Sequence, residues 1–426
     1  MNRLAMRSRG TRPPAVPRRR LIPWAAGTVL AATAGLTAAP LPAGAASVGS
    51  FPGTAIAGWG QNDRGELGTG TASAADALLP VLASLPPGTA ITTVAPGCNH
   101  SLALTSTGAV LAWGDNALGE LGNGAVGGVN ATPERVKLPA GVRIRAISGG
   151  CGFSLAVTTG GQVYAWGSNV VGELGTGHLT PPVPKPVLVD LPPGMRVKTV
   201  AAGEDHALAV TTSGQVLAWG PNDDGELGNG TTAPGTGVPA LVKLPANVMV
   251  AAVSAGENDS LAVTATGRVL GWGDGSFGSL GDGRENEVAT TPVHTVLPAG
   301  TRVQSVFAGC FHTLAVTTSG AVLAWGDNGN GQIGNGSFTN SRFPVRVILP
   351  MGTRAVAVGG GCVHSQVVTS QGQMLAWGAG GLLGNGAVQT SNRPVLVRLA
   401  AGQLAIGTGG SAVGDFSLAL LLPVRA

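Results

Sequence analysis

Seven Trp-Gly pairs, set at an almost constant interval, constrain this chain more than any other feature. They begin at Trp59, Trp113, Trp166, Trp219, Trp272, Trp325 and Trp377, with successive spacings of 54, 53, 53, 53, 53 and 52 residues. Only Trp24 lies off the grid. A period of this size marks supersecondary units that bury their apolar faces against one another, not a series of unrelated domains.

The second unit shows the internal pattern. An extended run from Pro133 to Leu138 closes on a Leu-Pro-Ala-Gly turn at Leu138–Gly141. Val142, Ile144 and Ile147 lead into Gly149 and Gly150, Ser154–Thr158 follows, and after Gly160-Gly161 the run Val163–Trp166 finishes the unit. Short β-rich runs bounded by Gly, Pro and Asn are strands and turns. Four of them per unit make one propeller blade. No stretch repeats apolar residues at helical spacing over ten or more positions, which excludes a helical solenoid. Composition agrees: there are 70 glycines, and only 11% of residues are charged, against about 25% in an average domain.

The ends of the chain speak to closure. Thr54–Trp59 reads as the last strand of a unit without its earlier strands, while Ala405-Ile406 and Ser417–Leu420 read as the earlier strands of a unit without its Trp-Gly strand. The expectation is an all-β, seven-bladed β-propeller, closed by the N-terminal strand completing the last blade so that no sheet edge is left open.

Residues 1–46 read differently from residues 47–426, the propeller. Arg3, Arg7, Arg9, Arg12, Arg18, Arg19 and Arg20 precede an apolar stretch from Leu21 to about Ala39, and small residues follow at Ala43–Ala46. A basic head, an apolar middle and an A-x-A site form an export signal. Arg18-Arg19-Arg20-Leu21-Ile22 also resembles a twin-arginine signal, so the general and twin-arginine routes both stay open. The expected product is secreted, monomeric and not inserted in a membrane once the signal is cleaved. The head holds seven of the 25 basic residues and none of the 21 acidic ones, which leaves a mature net charge of about −3. Nucleic-acid binding, which needs a basic footprint, is therefore not expected.

Between units the chain runs Trp113-Gly114-Asp115-Asn116 and then Gly119-Glu120-Leu121-Gly122-Asn123-Gly124, with equivalents at 65–70, 172–177, 225–230 and 331–336. Ahead of the next Trp comes Gly-x-x-His-Ser-Leu-Ala, as at Gly97–Ala103. This pattern closely resembles the regulator of chromosome condensation repeat family, over essentially all of residues 50–426. The resemblance implies a seven-bladed propeller and says much less about activity, since one fold hosts many. The family includes a nuclear guanine-nucleotide exchange factor, a plant light receptor and a secreted bacterial β-lactamase inhibitor. The exchange factor acts through a wedge projecting from a blade, and spacings of 52–54 residues leave no room for one. One tryptophan per unit does not match the clustered tryptophans of the light receptor. The inhibitor is similar in export and in lacking insertions, but its aromatic-rich face is not apparent in the variable stretches here.

Several residues invite chemical readings. His100, His206, His312 and His364 share one repeat position, filled elsewhere by Phe153, Asp259 and Phe416. Ring symmetry spreads equivalent residues around an axis, so these histidines are expected to bond backbone and lock neighbouring blades, not to converge on a metal. Cys98, Cys151, Cys310 and Cys362 sit two places earlier, where other units carry Glu204, Glu257 and, by this reading, Asp415. An even cysteine count in an exported chain favours disulfides, here Cys98 with Cys151 and Cys310 with Cys362, with buried free thiols as the rival. Glu66, Glu120, Glu173 and Glu226 stand one per unit in turns, too far apart for paired-carboxylate hydrolysis.

No nucleophile elbow, phosphate loop or zinc-protease helix occurs, and neither a cofactor nor a metal is expected. What remains is binding. The segments 71–80, 125–132, 178–186, 231–239, 284–291, 337–343 and 387–393 break the repeat and should share one side of the ring, where variable loops on a rigid scaffold place recognition. Arg284, Glu285, Glu287, Phe338, Arg342 and Phe343 are the candidate rim, facing an extracellular or cell-envelope protein or glycan. The competing reading is a lyase or hydrolase with its pocket at the central channel, which would need acids with perturbed pKa values converging there.

Overall fold

The computed structural model describes residues 54–235, 237–411 and 413–422. The expected export segment, residues 1–46, lies outside them. Seven four-stranded antiparallel sheets form a ring. Blade 1 runs from hub to rim as Ile91–Pro96, His100–Thr105, Val110–Asp115 and Val129–Arg135. Blades 2 to 6 repeat it over residues 144–188, 197–241, 250–294, 303–346 and 355–396. Among the described residues no helix is long and apolar enough to cross a membrane.

The sequence period and the blade are out of step by one strand. The extended run after each Trp-Gly pair was expected to open the following unit. Instead it pairs back onto the Trp-Gly strand, with Leu111 opposite Arg135 and Ala112 opposite Glu134. Strands joined by a short connection pair with each other, and the Leu-Pro-Ala-Gly turn then carries the chain from rim to hub.

Closure follows the expectation and goes one strand further. Blade 7 has the order Ser73–Leu82, Ala55–Asn62, Phe416–Leu422, Leu404–Gly410. Ala55 to Gly60 pair with Leu421 to Phe416 in unbroken register. Two strands from each end of the chain thus share one sheet.

Within a blade the second strand is buried on both faces and the third nearly so, as His100–Thr105 and Val110–Asp115 show. These strands therefore read as continuous apolar runs. The outer strands are largely exposed or half-buried, with at most one buried residue each. The buried apolar residues fall into seven clusters, one between each pair of neighbouring blades.

The grid tryptophans hold these interfaces together. All seven are fully buried. Each indole N–H donates to a backbone carbonyl in the turn of the preceding blade. The acceptors are Glu66 for Trp113 (2.7 Å), Glu120 for Trp166 (2.7 Å), Glu173 for Trp219 (2.8 Å) and Glu226 for Trp272 (2.7 Å). Ser279 serves Trp325 (2.7 Å), Gln332 serves Trp377 (2.7 Å), and Leu382 serves Trp59 across the closure (3.0 Å).

The last glycine of each Gly-Glu-Leu-Gly turn lies under the next indole. At Gly122 φ is +63°, and an added Cβ would stand 2.8 Å from Trp166 Nε1. Two independent demands, a left-handed backbone and a ring against the Cα, therefore fix glycine there. Gly141 has φ of +81° but open space around it. Gly141→Ala should cost roughly 1 kcal/mol, the left-handed penalty alone. Gly122→Ala should cost about 1–3 kcal/mol more through overpacking against the indole. Denaturant midpoints of the two variants measure this, and equal losses would mean that the indole exerts no steric demand.

Candidate binding face

Antiparallel order puts the turn between strands one and two on the same side of the ring as the connection between strands three and four. The seven variable segments all lie in or beside that second connection. They therefore share one face with the residues that ring the channel mouth.

The repeated turn is built by its own side chains. Asn116 Oδ1 accepts from Leu121 N (3.1 Å), and Glu120 Oε2 accepts from Leu118 N (2.8 Å). Glu66, Glu173 and Glu226 make the bond equivalent to that of Glu120, at 2.9, 2.9 and 3.0 Å. These acids shape one turn each and stay one per blade.

The histidines lock blades, although not through backbone. His100 Nε2 lies 2.9 Å from Ser154 Oγ in the next blade, His206 2.9 Å from Ser260, His312 2.9 Å from Ser365, and His364 2.8 Å from Ser417. Ser154, Ser260 and Ser365 each donate their one hydrogen to the carbonyl that also receives the indole, those of Glu120, Glu226 and Gln332. The imidazole must then be the donor at Nε2, which leaves Nδ1 unprotonated. Full burial holds these rings neutral, with pKa values lowered to about 3 for His100, His312 and His364 and about 4 for His206. His364 is lowered further by His312. The four histidines meet serines, not one another, so no histidine metal centre forms among the described residues.

Two residues before each histidine position the chain rings the channel mouth. In ring order the residues are Cys98, Cys151, Glu204, Glu257, Cys310, Cys362 and Gly414. Gly60 opposite Phe416 fixes the seventh place as Gly414. The expected Asp415 stands one residue later, because the strand begins at Phe416. Cys98–Cys151 and Cys310–Cys362 are disulfides, with Cα atoms 4.9 and 4.7 Å apart. Neighbouring mouths come this close because they bond in series: Cys151 N donates to Glu204 O (3.0 Å) and Glu204 N to Gly256 O (3.2 Å).

Between the two bridges stand two acids. Burial, then Glu257 and Asp205, raise Glu204 to about 8. Burial and Asp274 raise Glu257 to about 7. Asp259, in a histidine position, is pushed well above the carboxylate range by burial, Asp274 and Glu257. Asp415 reaches about 6 through burial and Asp76, apart from this pair. A cavity of about 360 Å³ opens at the mouth beside Glu204, lined also by Arg64, Asn99, Leu118 and the Cys98–Cys151 bridge.

Beneath the mouth, the hub is filled. The innermost strands place Ala95, Ser148, Ala201, Ser254, Phe307, Gly359 and Gly409 at one level. Phe307 is the one large side chain there. Its ring passes the glycines of blade 6 to touch Gly410 in blade 7, and it joins Cys98, Cys310, Cys362 and Val413 in one buried cluster. All seven residues at this level are buried.

The candidate rim residues lie mainly on blades 4 and 5. Arg284 pairs with Asp282 (3.7 Å) and Glu287 (3.4 Å), and Glu285 is exposed. Phe338 is 53% and Phe343 44% exposed, and Arg342 sits 5.7 Å above the Phe343 ring. Residue reading missed Phe277 and Phe311, which meet edge to face at 5.3 Å beside the mouth. Among the described residues, these four are the phenylalanines that are not buried, and they share one sector of one face. An aromatic patch that the variable stretches did not reveal is thus assembled from two blades.

A family profile described as RCC1-like domain matches residues 55–416. The ultraviolet-B receptor UVR8 of Arabidopsis thaliana is 33% identical over 335 residues, which span 78% of this chain and 75% of that protein. The E3 ubiquitin-protein ligase HERC2 of Homo sapiens is 32% identical over 332 residues, 76% of this chain but 7% of the ligase. Yeast RCC1 (Prp20), solved with Kap60, superposes with a TM-score of 0.76 at 23% identity, over 88% of this chain and 91% of that one, a likeness of fold.

The buried groups set a pH window for stability. The histidines bind protons more readily unfolded, so stability falls as pH drops below 6.5 towards their folded values of 3–4. Glu66, Glu120, Glu204, Glu226 and Glu257, raised chiefly by burial from 4.5 to about 7–8, bind protons more readily folded. Their contribution fades as pH rises through 8. Melting temperature should therefore peak at mildly acidic pH and decline on both sides, and a steady rise from acid to alkali would contradict this. The bridges close loops of 53 and 52 residues. Reducing them should cost about 2–4 kcal/mol each by the loop-entropy account, measured as a denaturant-midpoint shift with and without dithiol.

Proposed function

Because the chain belongs to the RCC1-like domain family, we propose that it is a non-enzymatic binding scaffold, exported from the cell, which recognises an extracellular or cell-envelope protein or glycan through the face just described. One observation carries this reading. A rigid ring with a filled hub gathers its seven variable connections and its unburied aromatics on one side. Rigid scaffolds present recognition in this way, since the loops can vary without disturbing the core. Exposed aromatics near a patch centre are typical anchors of binding energy.

Two disulfides are compatible with an oxidising compartment outside the cytoplasm. The relatives support a propeller used for binding or regulation, and the ligase activity in HERC2's name is not carried over, since the match covers 7% of that protein. The enzymatic alternative draws on Glu204 and Glu257, whose protons are held near neutral pH. The groups that stand with them are further carboxyls, Asp205, Asp259 and Asp274, and the shared face of variable loops and exposed aromatics favours binding.

The test is capture. The purified full chain, crosslinked to native envelope material and culture fluid, should retain one specific protein or polymer. Phe338→Ala with Phe343→Ala should weaken capture about tenfold, the loss of one to two anchors, without lowering the melting temperature. Capture that survives shortening of segments 284–291 and 337–343 would rule the rim out.

A further inference from the structure

The acids at the channel mouth have no structural reason to be acidic. Asp259 occupies the position where Phe153 and Phe416 serve equally well as apolar rings. It is 3% exposed, and its Oδ1 has no hydrogen-bond partner. Glu257 Oε2 is likewise buried and unpartnered. A buried carboxyl with one unsatisfied oxygen costs free energy, and each such group calls for an explanation.

One arginine, Arg64, lines the same cavity as Glu204 and pairs there with Asp63 and Asp115; the other charges around the mouth acids are acidic. Glu204 faces Glu257 and Asp205, Asp205 faces Glu173, and Asp259 faces Asp274 and Glu257. Asp224 extends the set towards Asp274 and Asp223. Ion pairs among the described residues involve Arg64 and Arg284 alone, bonded to Asp63, Asp115, Asp282 and Glu287. Among the described residues, none of Glu204, Glu257 and Asp259 is in an ion pair. Next to them stand the Phe277 and Phe311 rings, the former 38% exposed. Ring faces attract ammonium and guanidinium groups and also pack against aliphatic side chains.

We propose that the channel mouth captures a lysine- or arginine-rich peptide segment of the partner, one cationic side chain entering between Glu204 and Glu257, whose segments meet through Glu204 N and Gly256 O, and its neighbours resting on Phe277 and Phe311. This rests on the binding-scaffold reading and names its partner's chemistry. A cavity of about 360 Å³ opens on the Glu204 side of this point, its other charged lining being Asp63, Arg64, Asp115 and Glu120. A preformed divalent-cation cage fits less well. The one close group of three ligand types there is Glu257 with Cys310 and Cys362, and both sulfurs are engaged in a disulfide.

Binding should be coupled to protons. With Glu204 and Glu257 titrating at about 8 and 7, the mouth is largely neutral in mild acid and charged in mild alkali. A cation stabilises the ionised forms, so affinity rises with pH through this range and protons are released on binding.

A fluorescent peptide alternating lysine and leucine, its counterpart with glutamate for lysine, and the full chain provide the experiment. Fluorescence anisotropy should show the lysine peptide binding about tenfold tighter above pH 8 than below pH 6, one unit of pKa displacement. The glutamate peptide should not bind. Glu204→Gln with Glu257→Gln should lower affinity about tenfold and flatten the pH dependence, and this isosteric pair keeps the mouth's shape. Phe277→Ala should weaken binding at every pH. Calorimetry in buffers of different ionisation enthalpy should report net proton release. Equal affinity for both peptides, an unchanged double variant, or displacement by calcium at constant ionic strength would each overturn the proposal. Partner capture that needs segment 337–343 but not the acids would remove this inference and leave the scaffold reading standing.

Discussion

Everything in this ring hangs on one hydrogen bond repeated seven times, an indole N–H of one blade given to a turn carbonyl of the blade before. The bond requires a tryptophan at the end of the third strand. It requires the turn to present its carbonyl inward, which the Asn and Glu side chains of that turn arrange. It also requires a glycine where the indole lies flat. In four interfaces the same carbonyl takes a serine hydroxyl as well, and in three of these that serine takes a histidine from the adjoining blade. Donors and acceptors alternate across the blade boundary, so sliding one blade would break several bonds at once.

This explains why the architecture was legible. The residues that make the interface are those that every unit must share, and sharing is what a repeat displays. The disulfides were legible for a related reason: equivalent positions in adjacent blades are neighbours in space, so Cys98 and Cys151 could be matched by repeat position alone. The phase of the blade was not legible, because a period fixes the interval between strands and leaves open where one sheet ends. Nor was the histidine partner, a side chain in the second strand of the next blade.

The face was harder to see for the opposite reason. It consists of departures from the repeat, and each departure looks arbitrary within its own unit. Glu204 and Glu257 are 53 residues apart in sequence and neighbours at the mouth. Phe277 belongs to a turn that otherwise follows the pattern, and Phe311 to a loop beside a cysteine, yet their rings touch. Around a propeller, a patch is written one letter per blade. The misplacement of Asp415 has the same source: the last unit carries Gly414 where an acid was looked for.

The sharing of blade 7 between both ends of the chain reaches beyond stability. Ala55 meets Leu421, so the first strand made waits for the last. Six blades can assemble from local neighbours, but the ring becomes a ring only when the final strands arrive. The order of the strands in space has no beginning, and blade 7 is simply where the circle of described strands is cut. A rearranged gene whose product starts at a rim-to-hub turn, with Leu422 and Thr54 joined through a short hairpin linker, would describe the same ring.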